Sequence, residues 1–269
     1  MPAFEIPEPV NINPMKRIFL LGGHDLEMLE IKKVLEREGY RLGKECFDAG
    51  LRWDNADLRA YKEVLEQHSD GEFVGIELRD ADGLAPEGYA LIDHHNALSH
   101  RPAAILQVAT LLRVEPDERM RIVAANDAGY IPAMKAMGVS DETIAQIRRE
   151  DRRAQGVTDE DEHKAEISIA EHMETFRDTL IVKSLTPHFS TICDRLFPYR
   201  RLLIYTDSEW VFYGEGKDEL VKMLVEDIAS KKVYHGGGDN GYIGATKGAF
   251  PPQQIVDIVN TIHQRYEQI

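Results

Sequence analysis

The stretch Tyr89-Ala90-Leu91-Ile92-Asp93-His94-His95 runs from a short apolar segment straight into a carboxylate and two imidazoles. The residues before it, Asp80 to Gly88, carry Pro86 and two glycines and have the composition of a loop. A short apolar run bounded by such a loop predicts a buried β-strand. In α/β sheets, ligands bind beyond the carboxyl ends of the strands. Asp and His are also among the commonest ligands of catalytic divalent metals. Asp93-His94-His95 therefore predicts a parallel sheet with chemistry at its edge.

The same arrangement recurs along the chain. Lys16-Arg17-Ile18-Phe19-Leu20-Leu21 reads as a buried strand that stops at Gly22-Gly23 and delivers His24-Asp25-Leu26-Glu27. Phe73-Val74-Gly75-Ile76-Glu77-Leu78 is a strand candidate carrying Glu77, with Asp80 close behind. Met120-Arg121-Ile122-Val123-Ala124-Ala125, whose start is also compatible with a helix, leads to Asn126-Asp127. Helical patterns stand between these segments: Leu29, Val34 and Leu35, then Asp57 to His68, then a helix opened by Pro102 with Ile105, Val108, Leu111 and Leu112. Strands alternating with helices predict βαβ units and a mainly parallel sheet flanked by helices.

From Ser140 to about Glu174 the chain is highly charged and helical in pattern. There Thr158-Asp159-Glu160-Asp161-Glu162 offers an N-cap and an acidic first turn, and His163 and His172 read as surface or packing residues. The style changes near Pro187–Pro198. Arg201 to Tyr205 and Glu209 to Tyr213 predict a hairpin, and Asp218 to Ser230 a helix with Leu220, Met223, Leu224 and Ile228 on one face. A glycine loop follows, and Pro251-Pro252 opens a last helix with Ile255, Ile258, Val259 and Ile262. The fold class is thus α/β, a mainly parallel sheet over residues 1–190 with a smaller C-terminal α+β domain over residues 195–269. Trp53 and Trp210 read as core anchors in preference to stacking platforms.

Composition narrows the chemistry. The formal net charge of −15 opposes phosphate neutralisation of a long nucleic acid, so small phosphorylated substrates are the favoured class. Cys46 and Cys193 lie far apart and fit no metal-ligand spacing, which agrees with a reducing compartment. No window approaches the roughly 20 apolar residues of a membrane helix. Met1 to Pro14 lacks the basic start and apolar centre of a signal peptide, so a cytoplasmic location is expected. A homodimer stays open.

A parallel sheet would bring His24-Asp25-x-Glu27, Glu77, Asp93-His94-His95 and Asp127 to one edge. Carboxylates gathered that way repel one another unless a cation neutralises them. Oxygen-rich ligands with some imidazole suit Mn²⁺ or Mg²⁺, and admit Zn²⁺, Fe²⁺ or Co²⁺. Two such ions roughly 3.5–4 Å apart can share and deprotonate a water that attacks phosphorus. Gly236-Gly237-Gly238 offers side-chain-free backbone that can approach a phosphate, with His235 just before it, and Arg101 or His100 can reach one as well.

This pattern resembles the DHH phosphoesterase superfamily, which includes RecJ-type exonucleases, oligoribonucleases, cyclic-dinucleotide phosphodiesterases and manganese pyrophosphatases. His24-Asp25-x-Glu27 resembles its first element, Glu77 the second, Asp93-His94-His95 the third and Asp127 the fourth. Gly236-Gly237-Gly238, followed by Gly241-Tyr242-Ile243-Gly244-Ala245, resembles the glycine signature of the DHHA1 domain. The resemblance implies that His24, Asp25, Glu27, Glu77, Asp93, His94 and Asp127 hold metal, up to two Mn²⁺ per chain. It implies a catalytic role for His95, on the substrate phosphate, and for Asp93. Arg101, His235, Gly236, Gly237, Gly238, Asp239 and Asn240 would contact substrate. The chain departs from the pattern in four places: His24 abuts Asp25, Glu27 and Glu77 stand where Asp is usual, and Asp239-Asn240 follow the glycines where His is usual. These departures motivate a rival reading, a phosphate-ligand or nucleotide-binding regulatory module with impaired turnover. A processive nuclease is disfavoured by the acidic balance.

Overall fold

The computed structural model of the chain describes residues 17–236, 241–249, 257 and 260. Contacts divide it into two compact units, Met1–Ala128 and Gly129–Ile269. The first holds a four-stranded sheet of order β2-β1-β3-β4, built from β1 (Arg17–Leu21), β2 (Cys46–Asp48), β3 (Glu72–Ile76) and β4 (Ala90–Ile92). All three pairings are parallel, as the alternating pattern predicts. Ile18 to Leu21 are fully buried, the mark of a central parallel strand covered on both faces.

Helices α1 (Leu26–Arg37), α2 (Lys62–Gln67) and α3 (Ala104–Leu112) belong to this unit, and α1 packs against α3. Asp25 caps α1, accepting a 2.8 Å bond from the Met28 N–H, and Met28, Ile31 and Leu35 sink into the core. Helix α4 (Glu118–Ala136) begins here too. Met120 to Ala125 therefore do not form the expected strand. Met120, Val123 and Ala124 are buried at helical spacing, and the Asp117 carboxylate accepts from the Met120 N–H at 2.8 Å. The helix is broken at Tyr130, which has φ 59° and ψ −153°, with Pro132 two residues on.

The second unit continues with α5 (Asp141–Ala154), α6 (Asp159–His172), β5 (Met173–Phe176), β6 (Thr179–Lys183), α7 (Ser190–Leu196), β7 (Arg201–Tyr205) and β8 (Trp210–Gly214). Then come α8 (Lys217–Met223), α9 (Val225–Ala229), β9 (Val233–Gly236) and β10 (Tyr242–Ala245). Its sheet has six strands in the order β5-β6-β7-β8-β10-β9, antiparallel except at β6 and β7. Side chains alternate between two cores with period two. Leu202, Ile204 and Val211 pack with Ala165 of α6 and Ile192 of α7, while Leu203, Trp210 and Phe212 pack with Leu220 of α8. The predicted hairpin of β7 and β8 forms, and Thr158 and Asp161 make a reciprocal capping box.

Several expectations are corrected. The units part at 128/129, whereas the sequence reading draws its boundary at 190–195. α6, α7, β5 and β6 all belong to the second unit, which is therefore not the smaller one. The helix over Asp218 to Ser230 is interrupted at Leu224, where φ −102° and ψ 23° leave the helical region, while Leu220, Leu224 and Ile228 still pack on the same core and Met223 and Val225 are exposed. Trp210 is a core anchor, but Trp53 is 72% exposed. The last predicted helix falls mostly outside the described residues; Asp257 and Asn260 are helical. Among the described residues, no helix is long and apolar enough to cross a membrane.

Gly22 shows how tightly the sheet edge is built. A Cβ there would lie 2.3 Å from the carbonyl oxygen of Glu77 and 2.5 Å from that of Ile76. Since backbone cannot yield as a flexible side chain does, Gly22→Ala is expected to cost about 1–3 kcal/mol of stability. Denaturant unfolding of the two proteins measures this, and an unchanged midpoint would contradict the fit.

Candidate metal centre

Strand register delivers the site. Leu21 lies opposite Ile76, and Ile76 opposite Ile92, so β1, β3 and β4 end at one level. The chain beyond each end carries the acids and imidazoles. Glu77 follows β3 in a left-handed conformation, φ 55°, with its N–H donating to the Ile92 carbonyl at 2.8 Å. Such a backbone is costly for a non-glycine residue and is found where surroundings enforce it, often at functional sites. Glu27 comes from the first turn of α1, and Asp127 from α4.

These residues meet around one nitrogen. His94 Nε2 lies 2.6 Å from Asp127 Oδ2, 3.5 Å from Glu77 Oε1 and 3.7 Å from Glu27 Oε2. Glu77, His94, His95 and Asp127 each offer a ligand atom within 4.8 Å of the others. Glu27 Oε2, Glu77 Oε1, His94 Nε2 and Asp127 Oδ2 are all buried, and none has a hydrogen bond of proper geometry, the 2.6 Å approach included. Buried polar atoms left without partners are costly, and four in one place require an explanation. Buried ligand atoms gathered around one nitrogen with no hydrogen bond of their own are what a divalent cation would satisfy. The residues present can hold such an ion.

The electrostatics agree. Burial, and then the negative charges of Asp127 and Glu77, push the Glu27 carboxyl well above the usual carboxylate range. Burial works against a charged His94, but the carboxylates of Asp127 and Glu77 outweigh it and push its pKa up to about 10. Without a cation, protons hold the cluster together.

Helix α3 braces two ligand-bearing segments. Its N-cap, Ala103, has no capping side chain; instead the Ile105 N–H donates to Glu27 Oε1 at 2.9 Å. The Gln107 amide donates to the carbonyl of Asp93 at 3.1 Å and to that of Pro102 at 2.7 Å, fixing the backbone just before His94. Sequence reasoning missed Gln107 and Ile105, since nothing local marks a contact across so many residues.

The other candidates are placed differently. Asp93 Oδ1 accepts from the His95 N–H at 2.9 Å and lies 3.0 Å from His95 Nδ1, orienting a ring whose side chain is 51% exposed. Asp25 is spent on capping α1, though its charge reaches Glu27. His24 is exposed. Asp80 accepts from the N–H groups of Leu84 and Ala85 and shapes its own loop. His100 and Arg101 are exposed. In the second unit, His235 and Gly236 belong to β9, while Gly237, Gly238, Asp239 and Asn240 lie outside the described residues.

No protein-family model matches the sequence, and no curated protein matches it. Among solved structures the chain is similar to a DHH domain described as belonging to a family of ribosomal proteins. The TM-score is 0.53 and the identity 13%, over 93% of this chain and 86% of that one. It is also similar to the pGpG-specific phosphodiesterase PggH of Vibrio cholerae, with TM-score 0.47 and 9% identity over 92% and 98% of the two chains. A third likeness is to RecJ in complex with Mn²⁺ from Thermus thermophilus, with TM-score 0.48 and 12% identity over 93% of this chain and 52% of that one. The first likeness carries the conclusion: the chain has the fold of a DHH-domain protein.

Two outcomes follow for metal binding. Gln107→Met removes both amide bonds at nearly constant volume, and Mn²⁺ affinity measured by calorimetry is expected to fall about 10–100-fold with the fold intact. Glu27 and His94 must give up protons to a cation, so apparent affinity rises as pH is raised toward about 10, with proton release on binding. Affinity flat across pH would contradict the ligand set.

Proposed function

We propose that this protein is a metal-dependent phosphohydrolase acting on a phosphoester or phosphoanhydride of a small phosphorylated substrate of the nucleotide or short-oligonucleotide type. The observation that carries this reading is the convergence of four buried, unbonded ligand atoms at the carboxyl edge of a parallel sheet. The shared DHH-domain fold and the sequence resemblance support it. Glu27, Glu77, His94 and Asp127 would hold the cation, with Asp25, Asp93 and His24 as outer or second-ion ligands. When bound, a divalent ion supplies an activated water and a Lewis acid for a phosphoryl oxygen.

The chain's own groups do the rest. Asp93 Oδ1 lies 3.0 Å from His95 Nδ1 and orients the ring, so the accessible imidazole, in its protonated form, would present Nε2–H to the phosphate as hydrogen-bond or proton donor. Arg101, His235 and the run Gly236-Gly237-Gly238 with Asp239 and Asn240 are proposed as substrate contacts on sequence grounds alone. The net charge of −15 selects against long polyanions.

One observation favours the rival, a nucleotide-binding regulatory module. Glu27 Oε1 is spent on the Ile105 N–H, so a single oxygen remains for metal. A phosphate-release screen over nucleotides, short oligonucleotides, cyclic dinucleotides and pyrophosphate with added Mn²⁺ separates the two. Release is expected from the native chain, and a loss of roughly a thousandfold from the Asp93→Ala, His94→Ala double variant. Equal release by both would sink the enzyme reading; nucleotide binding with no release would favour the module.

A further inference from the structure

We infer that Arg119 is a positioning residue for the metal centre: its ion pair with Glu30 sets the register of α4 against α1, and with it the placing of Asp127 opposite Glu27. The assignment rests on the metal-dependent phosphohydrolase reading. All four residues lie in the first unit. Arg119 Nη2 donates to Glu30 Oε1 at 2.7 Å, and Lys33 Nζ donates to the same oxygen at 2.8 Å. The Glu30 side chain is 9% exposed. Burial works against its charge, but Arg119 and Lys33 outweigh burial and hold its carboxyl below the ordinary value. Taking away the guanidinium would leave a buried carboxylate short of a partner, and the two helices would have to shift to relieve it.

The pair is tied to the centre through both helices. Glu27 and Glu30 are three residues apart on one face of α1, about 4.5 Å along its axis. Arg119 and Asp127 are eight residues apart on α4, about 12 Å along its axis, and the break at Tyr130 comes only after them. The helices therefore meet at two places. One is the Arg119–Glu30 bond; the other is His94 Nε2, with Glu27 Oε2 at 3.7 Å and Asp127 Oδ2 at 2.6 Å. At the second place the carboxylates of Glu27 and Asp127 repel each other, which drives the helices apart. Apolar burial of Met120, Val123 and Ala124, whose stripe Asp127 continues, fixes which face of α4 turns inward. Such burial is non-directional and sets a slide along the axis less tightly. A short charge-assisted hydrogen bond is directional and sets it. Arg37 and Asp117 also link α1 to the head of α4, at 3.9 Å, but both side chains are about half exposed and salt screens them.

A double-variant cycle on the full chain tests this. Mn²⁺ affinity by calorimetry and the urea midpoint are measured for the native protein, Arg119→Met, Arg119→Lys, Asp127→Asn and the Arg119→Met, Asp127→Asn double variant. Arg119→Met keeps the aliphatic stem and drops the guanidinium, and is expected to weaken Mn²⁺ binding about tenfold. Arg119→Lys restores the charge and should recover most of that loss. With Asn at position 127 no charged carboxylate is left to place, so Arg119→Met should then weaken Mn²⁺ binding less than about twofold. Residues this far apart that share no partner act additively, so the difference between the two backgrounds reports the coupling. An Arg119→Met variant that binds Mn²⁺ as tightly as the native chain overturns the assignment. So does an equal loss in both backgrounds, which is what a merely structural ion pair would give. A native chain that takes up no Mn²⁺ counts against the metal-centre reading instead. The urea midpoints then decide the positioning role: shifts that fail to add uphold it, and shifts that add overturn it.

Discussion

Three carboxylates crowd one imidazole in the first unit, and the surrounding structure is arranged to make that crowding tolerable. Glu27, Glu77 and Asp127 bring negative charge to His94 within 3.7 Å, in a place where water reaches poorly. Burial raises the cost of each charge, and their mutual repulsion raises it further. A proton on the imidazole and another on Glu27 offset part of this. A divalent cation would offset it more completely, because it satisfies all four orphaned atoms at once.

The scaffold holds this arrangement by rigid means. Three parallel strands end in register, Gly22 lets the Glu77 backbone pass within contact distance, and Glu77, in its left-handed turn, brings Oε1 to 3.5 Å from His94 Nε2. Helix α3 adds two fixed points: the Ile105 N–H on Glu27, and the Gln107 amide on the carbonyl ahead of His94. The same N–H that orients Glu27 also takes one of its oxygens. Glu27, at a position where the resembled family has Asp, thus gives one oxygen to a helix terminus and turns the other to His94.

The second unit solves a separate problem by the same physics. Its central strands are buried on both faces, so Leu202 and Ile204 serve one core while Leu203 serves the other. Beside that sheet, Arg148 and Arg152 converge on Asp194, with Arg152 also paired to Glu162. Their charges are mostly buried, so each depends on its partners.

By itself the sequence determined the parts that depend on short spacing. Apolar runs ending in acids or histidines marked β1, β3 and β4, Thr158 marked the start of α6, and Asp93-His94-His95 marked the strand end at which Glu27, Glu77 and Asp127 gather around His94. It misplaced Met120 to Ala125, because a buried helix face and a buried strand present the same apolar residues over so few positions. It put Trp53 in the core, because composition carries no sign of which side of a turn a ring will leave. Only the tertiary structure decided that Glu27 caps a helix from another segment, that Gln107 holds the Asp93 carbonyl, and that the chain divides at Ala128. These are contacts between residues far apart in the chain, and their free energy appears only once the strands have fixed the distances between them.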